Sequence, residues 1–486
     1  MDTVAPHTGA THPPTPRSTR AFIDNHRIRG YTMTYPAYPA YKDSGVAWLG
    51  DVPEHWESAR LSWLFRRKKI TDRPDAELLS VYRDHGVVPK SSRDDNFNKP
   101  SDDLSAYQLV EVGDLVLNKM KTWQGSIAIS QYEGIVSPAY FVARPTKTFG
   151  LQYMHYLLRS PIYISQYLRY SAGIRPNQWD LDYDDFKLLP ALLPPLPEQA
   201  AIAAFLDRET AKIAALIAKQ ERMIALLGEK RQALIAHAVT KGLRADAPMQ
   251  DSGVAWLGEI PAHWKLIPLK RLSPRISGRL VYQPAQYFSD DGIPFIMGNN
   301  VTNDGIRWTG VKYVPLEINE RFAHHALHEG DVITVRVGAP GVTCVVPKEA
   351  DGLNCGSLMI IRRSGNFNSR WLAYAMNSWV VRNQIALVQY GAAQEQINIE
   401  DAREFLLPVP PLEEQAALVQ SLACALQQLS QLEERSTHAI ALMREHRTSL
   451  IAAAVTGKID VRGEVVGAGT GGEAGAEAGR LAGVAR

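Results

Sequence analysis

The run Asn118-Lys119-Met120-Lys121-Thr122-Trp123-Gln124-Gly125 combines cations, amides and an indole in eight residues. Ammonium groups hold phosphate oxygens, and a glutamine amide offers the paired donor and acceptor that reads a base edge. The cluster Gly173-Ile174-Arg175-Pro176-Asn177-Gln178-Trp179 has the same make-up. Later in the chain, Arg336-Val337-Gly338-Ala339-Pro340-Gly341, Gly391-Ala392-Ala393-Gln394-Glu395-Gln396 and the pair Asn299-Asn300 are the corresponding polar segments. Candidate nucleic-acid contacts are therefore Lys119, Lys121, Trp123, Gln124, Arg175, Asn177 and Gln178, then Asn299, Asn300, Arg336, Gln394 and Gln396. The same residues also suit plain polar surface loops around a packed tryptophan, so composition alone leaves both readings open.

Signatures of catalysis are weaker. Gly467-Ala468-Gly469-Thr470-Gly471-Gly472 fits GxGxxG, but the sequence runs only to Arg486, too short for the βαβ unit that such a loop needs. No GxxxxGK[ST] occurs, and no [DN]PP[YF] of the adenine-methyltransferase type; Ser137-Pro138-Ala139-Tyr140 is only superficially similar. Asp185-Phe186-Lys187 lies over a hundred residues from the only Pro-Asp pair, Pro74-Asp75, so a nuclease centre is not assembled in sequence. His324, His325 and His328 lack a carboxylate or cysteine at metal-ligand spacing and read as a surface loop. No catalytic residue and no metal site is expected.

Composition sets the frame for these segments. With 486 residues, two to four domains are expected. The net charge of +2 gives no generic electrostatic argument for nucleic acid, so any such reading rests on local clusters. Cys344, Cys355 and Cys424 form no CxxC pair. Such sparse, odd usage argues for a reducing cytoplasm and for cysteines acting as small buried apolar residues. No run approaches the ~18 apolar residues of a membrane span. Residues 1–40 read as a disordered leader and residues 463–486 as a disordered Gly/Ala-rich tail.

The chain is a tandem repeat. Residues 43–56 read DSGVAWLGDVPEHW and residues 251–264 read DSGVAWLGEIPAHW. LPPLPEQAA at 193–201 returns as VPPLEEQAA at 409–417, and RQALIAHAVTKG at 231–242 as RTSLIAAAVTGK at 447–458. Between these blocks, residues 57–190 and 265–407 barely resemble each other. A shared frame thus carries two divergent inserts, which suits two sites doing one job on different targets. After each PPL-x-EQ block an apolar stripe advances in steps of four and three: Leu206, Thr210, Ile213, Ile217, Gln220, Ile224, Leu227, Arg231 and Leu234, then Leu422, Leu426, Leu429, Glu433, Ser436, Ile440, Met443, Arg447 and Leu450. Two helices of ~40 residues, about 60 Å at 1.5 Å per residue, are expected to pair with each other. Pairing with another chain is the alternative. Prolines mark their starts, and Gly242 and Gly457 their ends. Gly113-Asp114 and Gly330-Asp331 each introduce a strand, with further strands expected at 134–143 and 353–362 and helices at 151–170 and 370–390. Trp48, Trp56, Trp256 and Trp264 recur with the frame and are read as packing residues ahead of docking ones. The run Arg66-Arg67-Lys68-Lys69 is either a phosphate track or a solvated face.

W-L-G-x-x-P-x-H-W, a variable domain with a G-D strand, L/V-P-P-L-x-E-Q and a long helix, all repeated once, resembles the specificity subunits of Type I restriction–modification systems. The resemblance covers residues 41–461. It implies an α+β fold: two mixed, mainly β target-recognition domains in pseudo-twofold tandem, joined by two long helices forming an antiparallel coiled coil. The boundaries expected are 41–192 and 243–408 for the recognition domains and 193–242 and 409–458 for the spacer helices. The segment 118–125 also resembles the NKM-x-x-W-x-G stretch of some recognition domains. The family implies a non-catalytic subunit in a bacterial or archaeal cytoplasm that reads one half of a bipartite double-stranded DNA target with each domain. It also implies docking of two methyltransferase subunits and of restriction/translocase subunits. S-adenosylmethionine, ATP and Mg are then bound by those partners and no cofactor by this chain. A protein-binding scaffold and a methyltransferase fused to readers remain the competing classes at this point.

Overall fold

Asp114 and Asp331 are buried at 2% exposure, each just after its turn glycine. Each carboxylate accepts a backbone N–H, from Glu111 (2.7 Å) and from His328 (3.0 Å), and so closes its turn. Each is also neutralised inside the fold, by Lys68 (2.5 Å) and by Arg362 (2.6 Å). A buried carboxylate needs such a partner. Lys68 is therefore withdrawn from the basic run in which sequence placed it: it is 7% exposed, while Arg66, Arg67 and Lys69 stay at the surface.

The strands launched by these turns organise two equivalent sheets. The computed structural model describes residues 35–93, 100–173, 179–278, 284–389 and 396–464. It divides into two units, Met1–Lys219 with Ile440–Arg486, and Gln220–Ala439, and each cut falls inside a long helix. The first unit has a four-stranded antiparallel sheet in the order Phe65–Lys68, Tyr140–Pro145, Leu115–Asn118, Ile127–Ile129. The second repeats it as Ile276–Ser277, Leu358–Ile361, Val332–Val335, Thr343–Val345. In both, a two-stranded ladder ties the start of the insert to its end: Glu57–Arg60 with Pro190–Leu193, and Lys265–Pro268 with Leu406–Val409. The architecture is the α+β arrangement expected from sequence.

Several boundaries differ from the sequence reading for local reasons. The strand expected over 134–143 splits at Ser137-Pro138. Gly134–Val136 pairs with Gln108–Val110, and Tyr140–Pro145 joins the main sheet. A proline has no ladder donor, which favours the break. The helix expected over 151–170 is two, Leu151–Leu158 and Pro161–Tyr170, because Pro161 starts a new first turn. The second unit matches this with Ser369–Asn377 and Trp379–Gln389.

The long helices span Leu196–Lys241 (46 residues) and Leu412–Val455 (44 residues). All stripe positions are buried or half-buried except Arg447, which is exposed. In the first unit, Leu206 and Ile213 share a core with Leu450, Ala454 and Val455. In the second, Ile235 and Val239 share one with Leu418, Leu422 and Leu426. The beginning of one helix thus packs beside the end of the other, so the two run antiparallel. Arg231 fixes one level of the seam by donating to Ser430 Oγ (2.6 Å) and pairing with Asp304 (2.9 Å). Tyr35 to Ala40, assigned to the leader from sequence, are described residues; Tyr38 is 4% exposed. Most of the Gly/Ala-rich tail lies outside the described residues. Cys344 and Cys355 are buried, but Cys424 is exposed, a correction to the expectation for all three. It sits between stripe residues Leu422 and Leu426 on the opposite face of the helix.

Candidate nucleic-acid interface

What positions the candidate loops is the repeated frame, and the structure explains its motifs in terms of hydrogen bonds. Glu198, in the first turn of the first long helix and 6% exposed, accepts from Trp56 Nε1 (2.9 Å) and Tyr38 OH (2.6 Å). His55 Nε2 lies 2.8 Å from its other oxygen. In the second unit Glu414 repeats this with Trp264 Nε1 (3.0 Å) and His263 Nε2 (2.8 Å). Burial and the Glu198 carboxylate together hold the Tyr38 phenol well above its usual range. The adjacent glutamines do a second shared job. Gln199 donates to Pro194 O (2.7 Å) and accepts from Gly150 N (2.6 Å). Gln415 donates to Pro410 O (2.9 Å) and accepts from Asn368 N (2.7 Å). E-Q thus locks each helix start to the His-Trp pair and to the loop that leads into the next helical segment.

The helix ends complete the same joint. Gly457 (φ +69°) sits against Pro53 and Trp56, where an added Cβ would lie 2.3 Å from Pro53 Cδ. Gly242 (φ +76°) sits against Trp264 and Glu414, where a Cβ would lie 3.2 Å from each. Both the left-handed backbone and the close approach require glycine. Trp56 (1% exposed) and Trp264 (2%) are packing residues. Trp48 and Trp256 pack edge-on against Tyr163 and Trp379, with ring centroids 5.0 and 5.9 Å apart.

On this frame the structure brings the candidate segments of each unit together. In the first, Leu181 N donates to Lys119 O (3.0 Å), and Trp123 meets Trp179 with ring centroids 4.9 Å apart. Trp123 is half-buried and its indole N–H is donated to Met120 O (2.9 Å), so it shapes the loop. Lys119 Nζ donates to Pro138 O (3.0 Å) and lies 4.8 Å from the Phe141 ring centroid. Lys121 and Gln124 are exposed. Arg175, Asn177 and Gln178 lie outside the described residues.

The second unit has the same plan with different chemistry. Ile397 N donates to Arg336 O (3.0 Å), and Val337 bridges to Gln396. Arg336 is half-buried and spends its guanidinium on Ile397 O (3.0 Å) and Gly278 O (3.4 Å); burial lowers its pKa. Asn299 and Gln396 are exposed. Asn300 is a correction. It is 1% exposed, accepts from Met297 N (3.0 Å) and donates to Arg307 O (3.2 Å), so it holds the 297–307 turn and presents nothing outward. A Cβ built on Gly298 would lie 3.7 Å from Val337 O, so Asn299 borders the same strand end as Arg336. Gln394 lies outside the described residues.

Sequence reasoning missed one element beside the first cluster, the hairpin Leu79–Tyr82 and Gly86–Pro89. Its tip, Arg83-Asp84-His85, is exposed. The signal was present: Val81-Tyr82 and Val87-Val88, residue types that favour strands, flank the turn residues Asp84-His85-Gly86. The hairpin and the 118–124 loop line one cleft of about 1210 Å³, together with Tyr107 and Tyr140.

An internally duplicated frame thus holds two unlike sets of polar loops at equivalent strand ends of the two units. No protein-family model matches the sequence. The Type I restriction enzyme EcoKI specificity subunit of Escherichia coli (strain K12) is 26% identical over 211 residues, 42% of this chain and 44% of that protein. The StySPI specificity subunit of Salmonella potsdam matches over the same shares, so the chain aligns with under half the length of these two relatives. The putative MjaX specificity subunit of Methanocaldococcus jannaschii is 23% identical over 439 residues, 85% of this chain and 96% of that protein. A solved structure described as the "structural basis underlying complex assembly and conformational transition of the type I R-M system" has the same fold. Its TM-score is 0.63 at 17% identity, over 83% of this chain and 98% of that one. In sequence the chain is similar to Type I restriction enzyme specificity subunits.

Proposed function

We propose that this chain is the sequence-specific DNA-binding subunit of a Type I restriction–modification complex, and that each unit reads one half of a bipartite duplex target. The observation that carries this reading is the pairing of a repeated frame with unlike loops. Glu198 and Glu414 make the same joint, whereas Lys121 and Gln124 face solvent where the other unit offers Asn299 and Gln396. One frame with two surfaces suits two different half-sites.

In this reading the chain contributes recognition and assembly and no chemistry. Two methyltransferase subunits dock on it and methylate adenine with S-adenosylmethionine; restriction/translocase subunits bring ATP and Mg. The complex works in a bacterial or archaeal cytoplasm. Among the described residues no helix is long and apolar enough to cross a membrane.

The test is titration of the chain with random-sequence DNA duplex at several salt concentrations. Each phosphate neutralised lowers the slope of log K on log salt by about 0.9. A clear negative slope supports the proposal. Absence of binding at low salt favours a protein scaffold, and tight S-adenosylmethionine binding by the isolated chain contradicts the division of labour.

A further inference from the structure

The hairpin beside the first candidate loop is held more firmly than an exposed turn needs to be. Tyr82 pairs with Gly86, so three residues, Arg83, Asp84 and His85, form its tip. Gly86 closes the turn at φ +73°, and a Cβ there would lie 3.2 Å from Ala128 and 3.3 Å from the His155 ring. Glycine takes this left-handed conformation without a steric penalty. Arg159, from the short loop after the helix Leu151–Leu158, donates to Arg83 O and, at 2.9 Å, to Ile127 O. Burial lowers the pKa of this guanidinium. One half-buried cation therefore fastens the tip to the edge strand of the main sheet.

The tip itself is open. Arg83 is 67% and Asp84 70% exposed, and their 3.4 Å ion pair is of the weak, exposed kind. His85 Nε2 stands 2.7 Å from Arg93 Nη1 and accepts from it, so the proton of the neutral ring is on Nδ1. A Cβ on Gly125 would lie 3.5 Å from Arg83 Cγ, which puts the tip directly against the 118–125 loop. Arg83, Arg93 and Lys121 give the shared cleft a cationic wall.

We propose that the Arg83-Asp84-His85 tip is a base-reading element of the first unit, and that Arg159 is its positioning residue. The inference rests on the DNA-binding reading above. A two-stranded ribbon fits the major groove of duplex DNA, and an arginine at its tip forms paired hydrogen bonds with the O6 and N7 of guanine. Asp84 orients the Arg83 guanidinium before binding.

The experiment is selection from a random-sequence DNA duplex pool with the full chain, followed by sequencing of the bound fraction. Wild type, Arg83→Ala, Arg83→Lys and Arg159→Lys chains are compared, with thermal melting to verify folding. Wild type enriches a two-part motif. Both Arg83 variants lose discrimination at one guanine in one part, by about tenfold or more, and keep the other part. Arg83→Lys retains the charge, so a loss there separates base reading from phosphate attraction. Arg159→Lys loses the same position while its salt slope stays at the wild-type value. If wild type enriches a motif and the Arg83 variants enrich the same one unchanged, the tip does not read bases. An Arg159→Lys chain with wild-type preference removes Arg159 from its role. If wild type binds no duplex, the DNA-binding reading falls and this inference with it.

Discussion

Glu198 and Glu414 occupy equivalent places in one repeated motif, yet their removal should cost the two units different amounts. Glu198 is 6% exposed and its loss strands two buried donors, the Trp56 indole and the Tyr38 hydroxyl, at 1% and 4% exposure. Each buried group left without a partner costs about 1–3 kcal/mol, so Glu198→Ala should destabilise the first unit by about 2–5 kcal/mol. The Glu414 side chain is 26% exposed and its His263 partner 48%, so water replaces part of what is lost. Only the Trp264 indole is stranded, and Glu414→Ala should cost the second unit about 1–2 kcal/mol. Glu198→Gln should fall between, because an amide keeps one acceptor but turns a donor towards another donor. Native-state hydrogen exchange measured unit by unit reads these values directly. Helix Leu151–Leu158 reports the first unit and Ser369–Asn377 the second. A Glu414→Ala loss in the second unit equal to or larger than the Glu198→Ala loss in the first would refute the burial argument.

Three other outcomes follow from named residues. Burial holds His155 neutral, with its pKa lowered from 6.5 to about 4. The unfolded chain therefore binds the proton first, and this contribution to stability is complete above pH 6.5, falls with pH, and is gone below about 4. Urea midpoints for the first unit should drop by the equivalent of about 3 kcal/mol across that window, and His155→Phe should flatten the drop. Burial also raises the Cys344 and Cys355 thiols to about 12, while Cys424 is exposed; a thiol reagent at pH 8 should label one cysteine per native chain and three after denaturation. Lys121→Ala should make the salt slope of DNA binding shallower by about 0.9, whereas Arg336→Ala should leave it unchanged. The Arg336 guanidinium is occupied by Ile397 O and Gly278 O; equal slope changes for the two variants would contradict that assignment.

The parts of the fold visible in sequence were those written twice. Proline starts, glycine ends and the four-three stripe gave both long helices, because those signals are local and backbone-driven. The joint at their ends was not visible: E-Q fitted the first-turn dipole, and only the structure shows Glu198 reaching Trp56, 142 positions away. Long-range pairing of this kind has no spacing signature. Asn300 and Lys68 failed as surface candidates for a related reason. Their residue types suit solvent, and only the packing of a turn and of Asp114 put them inside. The hairpin tip at Arg83 was legible in principle, since a turn signal stands between Val81-Tyr82 and Val87-Val88, but its neighbour in space, the 118–125 loop, lies over thirty residues later in the chain.

The most direct measurement is adenine-methylation mapping of DNA from cells expressing this chain together with the methyltransferase subunit proposed to dock on it, before and after residues 265–407 are exchanged for those of another relative. The account predicts a motif in two parts separated by a fixed gap, with the exchange rewriting one part and leaving the other part and the gap intact. A continuous motif, or an exchange that changes both parts or neither, would contradict it.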